Sequence, residues 1–167
     1  MLERQPFLSS DLLVLRPLRP NDFEALYAVA KDPLIWTQHP EPTRYERGVF
    51  EMFFRTALTC TGALVAIDPT DETIIGSSRF DRYDEKRGEV EIGWTFLSRS
   101  YWGGKYNGEM KRMMLEHAFG CVRTVLFVIG CRNLRSRRAV EKNRRSIKGF
   151  SYSSGRRRKG CLRNNTR

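Results

Sequence analysis

Long apolar runs are missing from this sequence, and no stretch approaches the roughly 18–20 residues that a membrane span needs. The opening Met1-Leu2-Glu3-Arg4-Gln5 lacks the basic start and apolar stretch of a secretory leader. These two absences lead to the expectation of a soluble, cytoplasmic protein with no membrane partner. Cysteine is scarce as well. Cys60, Cys121, Cys131 and Cys161 form no CxxC pair, and His39 and His117 are not spaced with them as ligands. Reduced thiols and no metal are therefore expected, with Cys121 and Cys131 placed in the core. Acidic residues are missing after Glu141: the last 25 positions hold nine Lys or Arg and no acid. Nine of the net +11 charges thus lie in the tail, and residues 1–142 are nearly balanced at +2. A whole-chain reading as a nucleic-acid binder would mistake a property of the tail for one of the domain.

What is present suits one globular domain with one core. Leu12–Leu18 reads as a strand. Asn21 and Glu24 are placed as a capping box before a helix whose Phe23, Leu26, Tyr27 and Ala30 share a face. Asp32-Pro33 ends it, and a proline-containing loop, 35–42, follows. Thr43 is expected to cap a second helix over 44–58, with Tyr45, Val49, Met52 and Phe53 inward. Three extended segments come next: 63–67, 73–80 with Gly76 inside it, and 89–97. In the last, Val90, Ile92, Trp94 and Phe96 are expected on one face, and Glu89, Glu91, Gly93 and Thr95 on the other. Tyr106, Met110, Met113, Met114 and Ala118 mark a helix over 104–119, read as core. Residues 124–130 form a further strand, and 135–142 a short helix. The order is β-α-α-β-β-β-α-β-α, a mixed α/β layout in which an antiparallel meander precedes a β-α-β crossover.

Chemistry is expected where the strand 89–97 runs into Tyr101-Trp102-Gly103-Gly104-Lys105-Tyr106-Asn107 and a helix begins. Backbone N–H groups at a helix start attract anions, and paired glycines let the backbone approach a phosphate closely. Glu91 is the first candidate for a base, because a carboxylate in an otherwise apolar strand is desolvated and favours proton uptake. The alternative for Glu91 is a solvated or ion-paired strand residue. Glu89, two residues away, is the weaker candidate. His39 is either a surface loop histidine or a base near neutrality, and Trp36 in the same loop either walls a pocket or pins the loop to the core.

Glu91-Ile92-Gly93-Trp94, Tyr101-Trp102-Gly103-Gly104 with Tyr106, and Asn133-Leu134-Arg135-Ser136 with Ala139-Val140-Glu141-Lys142 resemble the GNAT superfamily of N-acetyltransferases. The branch they resemble most contains the Rim-type ribosomal-protein N-terminal acetyltransferases. Leu15-Arg16-Pro17-Leu18 followed by Asn21-Asp22 adds to the match, which spans about residues 10–142. The resemblance implies a mainly antiparallel sheet flanked by helices, with acetyl-CoA as co-substrate. It implies that Gly103, Gly104, Lys105, Tyr106 and Asn107 hold the pyrophosphate. Backbone at Phe96 and Leu97, together with Asn133, would meet the pantetheine arm. Ser136 would be general acid for the thiolate, and the loop with Trp36 and His39 would form the acceptor site. The reaction implied is direct attack of a primary amine, from a protein N-terminus or a small molecule, on the thioester. Lys105 departs from the pattern, standing where the family usually has Gly or Ala. Two other functions are carried alongside: a GNAT domain that binds the cofactor without activity, and a basic protein that contacts RNA or the ribosome through its tail.

The family pattern stops near Lys142. Positions 143–167 contain only Ile147, Phe150, Tyr152, Cys161 and Leu162 as apolar residues. Three readings fit this atypical segment: a functional basic tail, a divergent completion of the sheet, or a change of reading frame near Lys142. The third accounts best for the abrupt stop and the sudden loss of acids. It would leave strand edges exposed and favour a homodimer.

Overall fold

The protein is seen here as a computed structural model that describes residues 1–129 and 133–138 and, for the backbone alone, 150–154 and 159–164. In chain order the elements are β1 (Leu8–Ser9), β2 (Val14–Pro17), α1 (Phe23–Ala30), α2 (Arg47–Thr59), β3 (Ala63–Ile67), β4 (Ile74–Asp84), β5 (Glu89–Leu97), α3 (Tyr106–Phe119), β6 (Thr124–Val128), β7 (Phe150–Ser154) and β8 (Lys159–Asn164). A short helical stretch spans 134–138. The eight strands form one sheet in the order β1-β2-β3-β4-β5-β6-β8-β7. Every neighbouring pair is antiparallel except β5 and β6, which α3 joins as a parallel crossover. This is the mixed α/β class expected from the sequence. Within the tail, the backbone of 150–154 and 159–164 lies in the sheet, with β8 beside β6 and β7 at the edge. The 142/143 boundary and the expected helix beyond residue 138 lie outside the described residues.

Strand alternation builds two cores, one on each face of the sheet. In β3, Ala63 and Val65 join Leu26, Ala30, Phe50 and Phe54 of α1 and α2, while Leu64 and Ala66 join Met110, Met114 and Leu115 of α3. Each fully buried side chain of this size contributes on the order of 1.5–3 kcal/mol relative to exposure. No helix among the described residues is long and apolar enough to cross a membrane.

Several local expectations are corrected. Asp22, not Asn21, organises the start of α1. Its carboxylate accepts from the Arg19 N–H at 2.7 Å and from both terminal nitrogens of Arg16 at 2.8 Å. Burial alone would push this carboxyl up, but those bonds outweigh it and hold it below the usual range. Thr43 does not cap α2; Glu46 is the N-cap. The inward face of α2 is Phe50, Phe54 and Ala57 at i, i+4 and i+7, whereas Met52 is 73% exposed and Tyr45 also faces solvent. Cys121 is exposed rather than in the core, and Cys131 lies outside the described residues.

The alternation expected for β5 breaks at Trp94. Ser77 and Arg79 of β4 pair with Phe96 and Gly93, so one residue on β4 faces two on β5, and Trp94 adopts φ 51°. The bulge shifts the side-chain parity. Val90, Ile92 and Leu97 face α3, while Phe96 packs with α1 and α2.

Candidate functional site

Ladder pairing between β5 and β6 runs from Glu89–Thr124 to Glu91–Leu126 and goes no further, although β5 continues to Leu97 and β6 to Val128. The two strands therefore part just where the bulge redirects β5. A cleft of about 1120 Å³ fills the gap, walled by 92–97, by Phe127–Ile129, by the turn and first residues of α3, and by Trp36, His39, Asn133 and Ser136. A smaller hollow of about 530 Å³ is lined by Val29, Asp32, Ile74, Ser98 and Arg99.

At one end of the cleft α3 begins without a side-chain cap, so its first-turn N–H groups remain available to an anion. Gly103 sits at φ 70°, a left-handed conformation in which a side chain would be strained, and a Cβ there would meet nothing within 4 Å. Lys105, the departure from the family pattern, has φ −81° and ψ −20°, which any residue adopts. Lysine there strains nothing and adds an exposed cation beside the helix start. Tyr106 stacks edge-on against Tyr101 at 4.8 Å, and Trp102 donates from Nε1 to the Leu97 carbonyl at 2.9 Å, tying the turn to the end of β5. Among the described residues, five cationic side chains line the cleft, at Lys105, Lys111, Arg112, Arg135 and Arg138, against one carboxylate, Glu109, which pairs with Arg112. That imbalance suits a ligand carrying several phosphates.

The opposite end is aromatic. Trp36 is buried, donates to the Ala30 carbonyl at 2.7 Å and packs on Phe96 at 5.1 Å, so it pins the loop while also lining the cleft. His39 lies edge-on to Trp36, and Arg44 approaches its Nε2 at 3.2 Å. Burial first, and then Arg44, lower the His39 pKa to about 4, so the ring is neutral at pH 7. Asn133 caps the helical stretch 134–138 by accepting from the Ser136 N–H at 3.0 Å. Arg135 donates to the Ile35 carbonyl and stacks 4.0 Å from the Trp102 ring, fastening that stretch to both walls.

Phe96, Leu97, Gly103, Gly104, Lys105, Tyr106, Asn107, Asn133, Ser136, Trp36 and His39 are thus all brought to one cleft. Glu91 does not line it. Its carboxylate is 4% exposed and accepts from Arg82 at 2.7 Å, yet its Oε1 lies 3.6 Å from where a Cβ on Gly93 would stand, and Gly93 is in the cleft wall. Arg79, also buried, leaves Nε and Nη2 without a hydrogen-bond partner while packing over Trp94 at 4.7 Å.

Sequence reasoning missed Lys111. Its side chain is buried on the sheet-facing side of α3, where its ammonium donates to the hydroxyls of Ser78 and Thr95 and lies 5.5 Å from the centre of the Phe127 ring. Burial lowers its pKa to about 7. The unfolded chain then binds the extra proton between about pH 7 and the ordinary value of 10.5, so this group's penalty is full below 7 and fades as pH rises. Lys111→Met is expected to flatten the rise of stability with pH over that window. Urea midpoints measured across it check this, and an unchanged slope would contradict it. No group of three His, Cys, Asp or Glu side chains poised for a metal occurs among the described residues.

The family model "Acetyltransferase (GNAT) domain" matches residues 13–144. No curated protein matches the chain. Solved structures do. A GNAT-family acetyltransferase from Bacillus anthracis is 17% identical with a TM-score of 0.74, covering 94% of this chain and 96% of that one. Spermidine N-acetyltransferase from Vibrio cholerae, solved with CoA and spermine, is 15% identical with a TM-score of 0.65 over 92% and 94%. The microcin C7 self-immunity acetyltransferase, solved with acetyl-CoA and AMP, is 13% identical with a TM-score of 0.71 over 94% of each chain. At these identities the likeness is one of fold.

Proposed function

Because the chain belongs to the GNAT acetyltransferase family, we propose that it moves the acetyl group of acetyl-CoA to a primary amine, on a protein N-terminus or a small molecule, by direct attack. The observation that carries this reading is the coincidence, in one cleft, of the gap between β5 and β6 with the uncapped start of α3. Relatives of the same fold, solved with CoA or acetyl-CoA, support the co-substrate, and the one solved with spermine supports an amine acceptor.

In this reading the N–H groups at Gly103, Gly104, Lys105, Tyr106 and Asn107 cradle the pyrophosphate, and backbone at Phe96 and Leu97 pairs with the pantetheine arm with help from Asn133. The thioester supplies an activated acyl carbon. An N–H near Phe96 steadies the oxygen on which charge develops. Ser136 returns a proton to the leaving sulfur, and Trp36 and His39 shape the acceptor end. His39, weakly basic, with Nδ1 accepting from the Glu41 N–H at 2.9 Å and Nε2 facing Arg44, walls the acceptor end rather than deprotonating the amine. Glu91 is the base, acting through one water past Gly93; the missing side chain at Gly93 supports a path for that water. Residues 1–142 carry this chemistry, a division supported by the family match ending at 144, and the backbone of 150–154 and 159–164 supplies the sheet edge.

Release of CoA thiol from acetyl-CoA, measured with a polyamine and with a peptide bearing a free N-terminus, tests the proposal. Amine-dependent release with an acetylated product is expected. Thiol release that ignores the amine, or none with either acceptor class, counts against it.

A further inference from the structure

Lys111 is the only buried lysine among the described residues, and the proposed transfer mechanism does not use it. It lines the cleft, and its Nζ sits between Thr95 of β5 and Phe127 of β6, one residue from each side of the gap where the strands part. Its partners are two hydroxyls and an aromatic ring, and no described carboxylate bonds to it. An ammonium held this way gains no ion pair in return for its burial, which favours its release of a proton. The ordinary bar to acetylating a lysine is that its nitrogen carries a proton rather than a free electron pair. Here burial lowers that bar, and the fold holds the amine in the cleft that takes the acyl donor.

We propose that Lys111 is a self-acetylation site, whose Nζ accepts the acetyl group of a CoA thioester bound in the gap between β5 and β6. This rests on the acetyl-CoA reading given above. The electron pair of neutral Nζ attacks the thioester carbonyl carbon, a C–N bond forms and the C–S bond breaks. The thiolate leaves with the bonding pair and takes up the proton that the nitrogen sheds. The products are acetyl-lysine and CoA thiol, and no further reactant is needed. Acetylation also turns a buried cation into a neutral amide, removing its desolvation penalty.

The full chain is incubated with acetyl-CoA alone, digested, and its lysines mapped by tandem mass spectrometry. Exposed Lys31 and Lys86 serve as internal references. A parallel sample is incubated in urea, and a third is followed by thermal melting with CoA. Because a held amine can react far faster than a free one, Lys111 is expected to be acetylated at least about tenfold more than either reference in the folded chain, with the preference lost in urea. In Lys111→Arg the main acetyl increment in the intact mass is expected to vanish. CoA that stabilises the protein while Lys111 stays bare, or is modified no more than the references, overturns the inference and leaves the transferase reading standing. CoA that fails to stabilise the protein overturns the transferase reading and this inference with it.

Discussion

Glu91→Gln is expected to lower kcat by roughly 10²- to 10⁴-fold, the usual contribution of a positioned general base. The change keeps the size of the side chain and its ability to accept from Arg82, so the fold and the binding of acetyl-CoA are expected to survive. Arg82→Leu is the control. It breaks the 2.7 Å ion pair but leaves the carboxylate in place; Arg82 is 61% exposed but Glu91 only 5%, so losing the partner is expected to cost on the order of 1–3 kcal/mol of stability. The loss in Arg82→Leu should be much smaller than in Glu91→Gln. Equal losses would mean that the ion pair, and not proton transfer, carries the effect. Steady-state rates with saturating acetyl-CoA, alongside melting curves for each variant, separate the two.

Gly76→Ala is expected to destabilise the protein on the order of 4 kcal/mol or more, among the larger effects a single substitution produces. A Cβ at Gly76 would stand 2.1 Å from the Phe96 carbonyl oxygen and 2.9 Å from the Leu97 Cα. These are backbone atoms, so no rotamer change relieves the overlap; β4 and β5 must move apart. At this chain length each kcal/mol shifts the melting temperature by roughly 2–4 °C, so a fall of roughly 8–16 °C is expected. Phe96 and Leu97 form the cleft wall, so whatever folded protein remains should also bind CoA more weakly. A melting temperature within a few degrees of the parent would refute the close approach of these strands.

Much of this was legible from periodicity. The layout, the strands at 63–67 and 89–97 and the helix beginning near Tyr106 follow from alternation and from the glycine turn. Eleven of the twelve site residues meet in one cleft because the motif residues occupy consecutive turns around a single strand gap. What was not legible depends on contacts distant in sequence. The face of α2 was misplaced because Phe50, Phe53 and Phe54 offer two overlapping apolar stripes, and the aromatic cluster formed with Phe23, Tyr27 and Phe96 decides between them. The bulge at Trp94 leaves no trace in the alternation of Glu89–Leu97, since both parities read as a strand. Lys111 did leave a signal: it shares a helix face with Met114, Leu115 and Ala118 at i, i+3, i+4 and i+7, and a lysine on an apolar stripe is unusual. Asp22 was hidden behind Asn21, because either residue type can cap and only the Arg16 clamp distinguishes them.

The central claim is that the gap between β5 and β6, together with the start of α3, binds acetyl-CoA. Thermal melting of the full chain and of Gly103→Val, with acetyl-CoA and with NAD as control, tests it most directly. A Cβ there meets no atom within 4 Å, but valine places a β-branched residue at φ 70°, so it should disturb the turn rather than the core. At a hundred times the dissociation constant, acetyl-CoA is expected to stabilise the parent by about 2.7 kcal/mol. NAD should do nothing, and Gly103→Val should need far more acetyl-CoA for the same shift. A cooperative melt that acetyl-CoA leaves unmoved, or that it shifts equally in both proteins, would contradict the account.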